Sequence, residues 1–290
     1  MKFNVLHPNI PGSSRQKRKV LVLLFIALWV PALIVSCGPV GPTFNSATAT
    51  AQAIKAQNLA TEIAQSLQAT RDGEAQQAAA TAQAFQVMAQ EGQDWPIILL
   101  DPFDDNTNLW PEGDNTDALA DINWQVGDGK FTWKAKAHDA FVWWVYQETQ
   151  DLSDFYLAAD GRLLSGPTEG EYGLIFRLNE DDDYYLFEAN EQGQYAVYIY
   201  LEGEWEALIP WTGSPVLNTD SNNHLAVLAR GEKFLLFANG KFLDTFTDDR
   251  LENGRTGILI GLSNAEDEGT WEFDNFELRS LEGGDHAQNY

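Results

Sequence analysis

From Gly129 to Arg279 the chain repeats one pattern. Short runs rich in aromatic, β-branched and aliphatic residues are bounded by Gly, Asn and Asp. The runs are Gly129–Ala137, Ala140–Gln147, Tyr172–Leu178, Tyr184–Asn190, Gln194–Glu202, His224–Arg230, Lys233–Gly240, Thr256–Ser263 and Thr270–Arg279. Successive side chains of a strand point to opposite faces, so each run offers one face to a core. Regularly spaced short strands with turn signals between them predict an all-β, antiparallel β-sandwich over residues 95–282, with 283–290 a flexible tail. Asn239-Gly240, between two apolar runs, predicts a type I′ hairpin. The ten Trp, eight of them after residue 100, are ample material for a core. One cysteine excludes an intramolecular disulfide and a cysteine zinc cluster, so packing must supply the stability.

The order of the strand motifs adds to this. A Gly-Leu-Ile-Phe-Arg strand (173–177) is followed by Tyr184-Tyr185, an Asn-His-Leu-Ala-Val strand (223–227) and the Asn-Gly hairpin. Gly-Ile-Leu-Ile-Gly-Leu (257–262) and Phe-Asp-Asn-Phe (273–276) complete the series. Over about residues 100–280 this series resembles the concanavalin-A-like jelly roll. More narrowly, it resembles the bacterial 3-keto-disaccharide hydrolase or family 16 glycoside hydrolase-like domain. The resemblance implies a sandwich that binds or cleaves carbohydrate, and fold alone does not choose between the two.

Three sets of side chains follow. Family 16 glycoside hydrolases carry a Glu-x-Asp-x-(x)-Glu strand, and Glu272, Asp274 and Glu277 match its longer form. In a regular strand Glu272 and Asp274 share a face and Glu277 does not, so catalysis by this trio needs a bulge. Jelly-roll carbohydrate modules also hold a structural calcium between the first and last strands. By that resemblance Asp101, Asp104 and Asp274 are candidate ligands, with Asp105 beside them, and carboxylates suit calcium. The third set is aromatic. Trp143 and Trp144 must point to opposite faces, one into the core and the other outward. Tyr198 and Tyr200 share the face opposite Val197 and Ile199, and Trp205 and Trp211 border a loop. An outward row of Trp144, Tyr198, Tyr200, Trp205 and Trp211, with Arg177 nearby, forms a candidate platform for sugar rings. The structural alternative places these rings in the core. No Gly-x-Ser-x-Gly elbow, phosphate loop or His-rich metal spacing accompanies them, and His224 reads as structural.

The N-terminal third has a different character. Residues 43–94 are rich in Ala, Gln and Thr, which favours helix. Ile54, Leu59, Ile63 and Leu67 form a thin apolar stripe. Arg71-Asp72-Gly73 is expected to interrupt the helix, and Trp95-Pro96 to stop it. Residues 37–94 then serve as a semi-rigid spacer or as a weak coiled coil. Before them, Arg15–Lys19 carries four basic residues, and the 16 residues Val20–Val35 carry no charge. That run is short for a permanent span, which takes about 20 residues. Ile34-Val35-Ser36-Cys37 resembles the lipobox of bacterial lipoproteins. This implies that residues 1–36 are a signal peptide and Cys37 the lipidated N-terminus. An uncleaved signal anchor is the alternative. In either case the basic flank stays in the cytoplasm and the body lies outside, tethered to the membrane. From Asp94 onward there are 39 Asp/Glu against 11 Lys/Arg. So acidic a body repels phosphate backbones, which excludes nucleic acid as a partner. The readings are thus non-catalytic glycan binding at the cell surface, a glycoside hydrolase-like activity on di- or oligosaccharides, or an interaction domain without a sugar ligand.

Overall fold

A computed structural model describes residues 46–282. The apolar run 20–35, Cys37 and the tail 283–290 lie outside the described residues. Among those described, no helix is long and apolar enough to cross a membrane. The chain divides into two units, one ending at Ala80 and the other beginning at Thr81.

Helix α1 runs Ser46–Gln93 without a break, so Arg71-Asp72-Gly73 does not interrupt it. A single Gly inside a helix costs only about 1 kcal/mol against Ala. The Gln68 side chain also donates to Asp72 Oδ1 one turn on, at 2.8 Å. Leu59, Ile63 and Leu67 stand exposed. The last turns of α1 belong to the sandwich unit. Phe85, Met88 and Ala89 cover Tyr156, Ala158, Ala226, Leu228, Leu235 and Phe237. Gln86 Nε2 donates to Gly240 O at 2.9 Å. The sandwich unit therefore begins inside the helix, earlier than residue 95, because these apolar side chains have a sheet face to bury.

Fifteen strands follow among the described residues. They are β1 (Ile97–Asp101), β2 (Gly113–Thr116), β3 (Ala120–Gly127), β4 (Lys130–Ala137) and β5 (Phe141–Tyr146). Next come β6 (Phe155–Ser165), β7 (Glu171–Leu178), β8 (Tyr184–Ala189), β9 (Gln194–Leu201) and β10 (Glu204–Gly213). The last are β11 (Asn223–Arg230), β12 (Lys233–Ala238), β13 (Lys241–Thr247), β14 (Arg255–Leu262) and β15 (Glu268–Arg279). One sheet has nine strands in the order β13-β12-β11-β6-β15-β4-β3-β2, with β1 added on β15. The other has six, in the order β10-β9-β8-β7-β14-β5. All pairings are antiparallel, which makes a two-sheet sandwich of the jelly-roll type. Asn239 (φ 52°) and Gly240 (φ 69°) are both left-handed, as a type I′ hairpin requires.

Period two builds the core. In β4, Phe131, Trp133, Ala135 and Ala137 point inward, while Lys130, Thr132, Lys134 and Lys136 point out. Trp124 of β3 reaches Trp143 of β5 with ring centroids 6.3 Å apart, tying the two sheets together. The six-stranded sheet departs from the usual half-solvated pattern. Every residue of β7 and of β8 is buried, on both faces.

Candidate functional site

The outward face of the six-stranded sheet holds its own apolar cluster, separate from the core. Val142 and Trp144 of β5, Ile175 and Leu178 of β7, Tyr184 and Leu186 of β8 and Leu259 of β14 form it. Tyr146, Tyr200 and Trp205 pack against its edge, half-buried. Register explains the row. Tyr184 lies opposite Tyr200, and Tyr200 lies opposite Trp205. Their rings touch in series. Trp144 and Tyr184 are 4.7 Å apart between centroids, Tyr184 and Tyr200 5.3 Å, and Tyr200 and Trp205 5.0 Å. Tyr198 meets Trp205 edge-on at 6.1 Å. At the opposite edge Arg255 stacks on Tyr146, 4.5 Å from its ring centroid.

Two carboxyl groups sit within this face. Alternation along β8 puts Glu188 outward with Tyr184 and Leu186. Its cross-strand neighbours are Gly173 and Ala196, both small. Glu171 at the start of β7 lies opposite Gly261. A Cβ on Gly261 would stand 2.4 Å from Glu171 Oε2, so the glycine makes room for that carboxylate. Glu188 is fully buried, and neither of its oxygens has a hydrogen-bond partner. The Tyr184 hydroxyl is likewise buried and unpartnered. Burial first, and the charge of Glu171 second, push the Glu188 carboxyl well above the ordinary glutamate range. Burial, followed by the charges of Glu188 and Glu171, raises the Tyr198 hydroxyl too. The shift favours the neutral acid, a form that can donate as well as accept a hydrogen bond. A core would have no carboxyl pair and a solvated face would have no buried rings, so this face suits a ligand that is apolar on one side and polar on the other.

Of the side chains singled out in the sequence, Trp144, Tyr198, Tyr200 and Trp205 come together here. Trp144 is 4% exposed and Tyr198 also 4%, so they form the floor of the face rather than an open platform. Trp205 is the second residue of β10, just after the Glu202-Gly203 turn, and Trp211 lies further along the same strand. Trp211 is half-buried, and no ring contact among the described residues ties it to the cluster.

Arg177 is not part of the face. A register shift separates the pairs Arg255↔Leu178 and Gly257↔Ile175, and Arg177 has φ 51°. This bulge takes its side chain off the outward row. The buried guanidinium donates to Leu251 O at 2.6 Å and Ser153 O at 2.9 Å, and also to Gly231 O. It covers the Phe234 ring at 4.6 Å and is a structural clamp.

The trio on β15 meets the bulge condition and still lacks acid chemistry. A register shift between Asp274 and Glu277, with Asn275 at φ 50°, turns Phe276 into the core. Glu277 thereby joins Glu272 and Asp274 on the outward face of the nine-stranded sheet. Each is then held by its own cation. Arg162 reaches Glu272 at 2.7 Å, Lys130 reaches Asp274 at 2.6 Å, and Arg279 pairs with Glu277. Ion-paired carboxylates on the face away from the aromatic cluster do not make an acid and a nucleophile around one bond.

Of the candidate calcium ligands, Asp101 and Asp274 are committed to other partners. Asp101 is buried and accepts from Phe103 N at 2.7 Å, Asn108 Nδ2 at 2.7 Å and Trp110 Nε1 at 2.6 Å. It organises the loop after β1. Asp104 stands exposed, and Asp105 accepts from Thr107. Among the described residues no group of three or more His, Cys, Asp or Glu side chains is arranged to hold a metal ion. His224 Nδ1 donates to Asp160 Oδ1 at 2.7 Å, in keeping with a structural role.

Glu171 and Glu188 are the residues that sequence reasoning passed over. Their signal is a lone acid in a run otherwise apolar, at Glu171 before Tyr-Gly-Leu-Ile-Phe and at Glu188 after Tyr-Tyr-Leu-Phe.

No protein-family model matches this chain, and no curated protein does either. Similar solved structures include a carbohydrate-binding module from Bacillus subtilis, at 18% identity over 51% of this chain and 86% of that chain, with a TM-score of 0.43. They also include the catalytic domain of an endo-1,3-beta-glucanase (laminarinase) from Thermotoga petrophila, at 9% identity over 64% and 98%, with a TM-score of 0.46. A Bacillus subtilis protein with a galectin-like fold has 12% identity over 63% and 95%, with a TM-score of 0.46. The sandwich architecture stands on the strand order and register above, independently of these likenesses.

Proposed function

We propose that the chain binds carbohydrate through the outward face of its six-stranded sheet, outside a bacterial cell and tethered to the membrane. One observation carries the binding reading: a contiguous row of rings beside the Glu188 carboxyl and the Tyr184 hydroxyl, neither of which has a hydrogen-bond partner. Sugar rings have apolar C–H faces that stack on aromatic rings, and hydroxyls that need such polar groups. Buried polar groups are otherwise paired. The tether rests on the basic flank, the apolar run and Cys37, and the acidic body agrees with a soluble domain held off a surface.

A glycan array with the full chain tests the reading, with the Trp205→Ala variant in parallel. Binding to a defined set of oligosaccharides is expected, with a loss of at least about tenfold on removing the indole, as for an aromatic hot spot. Equal binding by both proteins, or none by either, would overturn it.

The hydrolase reading has one observation in its favour. Glu171 and Glu188 lie on neighbouring strands of the face and act on each other electrostatically. Release of reducing sugar from the oligosaccharides that bind would establish it, and its absence would leave binding alone.

A further inference from the structure

We infer that a second binding site lies on the nine-stranded sheet: a groove that takes a saccharide bearing a carboxylate, such as a uronic acid, with the carboxylate against Lys134. The inference does not rest on the aromatic face of the other sheet.

The groove crosses the outward face of β2, β3, β4, β15 and β6 and has a volume of about 600 Å³. Register sets two rows of side chains in it. Asp114, Asn123, Lys134, Thr270 and Ser165 stand opposite one another in turn. Two residues along, Thr116, Asp121, Lys136 and Glu268 do the same. Ile122 and Ala135 also line the groove but belong to the core cluster, so the outward groups are hydroxyls, an amide and charges. Such a lining suits a hydroxylated ligand, since hydroxyls both donate and accept.

The ligand's charge follows from which groups are already paired. In the second row His138 Nε2 lies 3.1 Å from Asp121 Oδ2, and Lys136 lies 3.4 Å from both Glu266 and Glu268. In the first row Asn123 Nδ2 donates to Asp114 Oδ1 at 2.8 Å. Each acid lining the groove therefore has a donor. Lys134, Thr270 and Ser165, neighbours across three strands, have no side-chain partner among the described residues.

An unpaired lysine is unusual in so acidic a body. Residues 94–290 carry 11 basic side chains against 39 acidic ones. Six of the 11 pair with acids, Arg177 with carbonyls, and Lys233 and Arg255 with rings. Lys134 and Lys241 are left, and Lys241 follows the Asn239-Gly240 turn while Lys134 lies in the groove. A ligand carboxylate would accept from the Lys134 ammonium and from the Thr270 and Ser165 hydroxyls, as charge-assisted hydrogen bonds. The general field of the chain repels polyanions, which favours one carboxylate among many hydroxyls.

Calorimetric titration of the full chain tests this with three tetrasaccharides: xylotriose carrying one glucuronic acid, the methyl ester of the same compound, and xylotetraose. A pH of about 6 keeps the uronate ionised and the lysine protonated. About 0.15 M salt screens the distant acids, beyond about 8 Å. The acid is expected to bind at least about fivefold tighter than the ester or xylotetraose, the difference between a charged and a neutral hydrogen bond. Lys134→Gln is expected to bind all three alike. Lys134 is exposed, so this variant should melt with the wild type. Lys241→Gln and Trp205→Ala are expected to keep the preference for the acid.

Equal or tighter binding of the ester by the wild-type chain, or no binding of the acid, would overturn the inference and leave the aromatic-face reading standing. The preference surviving in Lys134→Gln, or being lost equally in Lys241→Gln, would also overturn it. Its loss in Trp205→Ala would move the site to the other sheet and refute the groove.

Discussion

Glu188→Gln should make the protein less sensitive to pH, and the direction follows from linkage. The folded chain holds a proton on Glu188 over a range where the unfolded chain has released it. An unfolded glutamate titrates at about 4.3, so that value is the lower edge of the window, and the raised value of Glu188 is its upper edge. Within the window the native state binds one more proton than the unfolded state. Stability therefore falls as pH rises, by about 1.4 kcal/mol per pH unit. Glutamine has the shape of the protonated acid and never ionises, so the variant lacks this slope. Near pH 4 the two proteins should melt together. At higher pH the variant should gain on the wild type by about 1.4 kcal/mol per unit, or roughly 3–6 °C in melting temperature for a sandwich unit of this size. Circular dichroism melts at about pH 4, 5, 6 and 7 measure the difference. Glu191, also raised by burial, is present in both proteins and cancels. Burial alone would raise Asp160, but hydrogen bonds from His224 and Asn275 outweigh it and hold the group low. Its contribution is lost only as pH falls below about 4, outside the window. Melting curves that stay parallel across the whole range would refute the claim that Glu188 is folded in its neutral form.

Arg177→Met should cost at least about 3 kcal/mol in urea unfolding, because three carbonyls lose their donor at about 1–3 kcal/mol each. A loss under about 1 kcal/mol would show that Arg177 is not the clamp described. Gly173→Ala and Gly261→Ala should separate packing from the site. At Gly173 a Cβ would stand 2.0 Å from the Phe187 carbonyl oxygen, which is backbone, so a loss of about 2 kcal/mol or more is expected. At Gly261 it meets the end of a flexible side chain, so stability should change by less than about 1 kcal/mol while ligand affinity falls as Glu171 is displaced. Cys37→Ala should abolish lipid attachment and removal of the first 36 residues, read by mass spectrometry. Unchanged processing would favour an uncleaved anchor.

Period two made much of the sandwich legible. It separated Trp143 from Trp144, and Tyr200 from Val197 and Ile199, which fall in two different apolar clusters, while Tyr198 meets Trp205 on the side of Tyr200. It did not show β6. That strand contains Asp160-Gly161, a pair that reads as a turn, yet it runs straight from Phe155 to Ser165. Pairing with β11 on one side and β15 on the other overrides the local preference, since both neighbours satisfy its backbone.

The bulges were the larger obstacle, and they decide which residues form the site. Both occur at residues other than glycine, Arg177 and Asn275, in runs that alternation reads as continuous. A slip of one residue sends every later side chain to the other face. At Asn275 the slip gathers the three acids, and at Arg177 it removes the cation expected beside the aromatic row. With Arg177 turned to the carbonyls of Leu251, Ser153 and Gly231, the outward row loses a cation at its Tyr184 end, since a strand in regular register would have set Arg177 opposite Tyr184, four residues from Glu188.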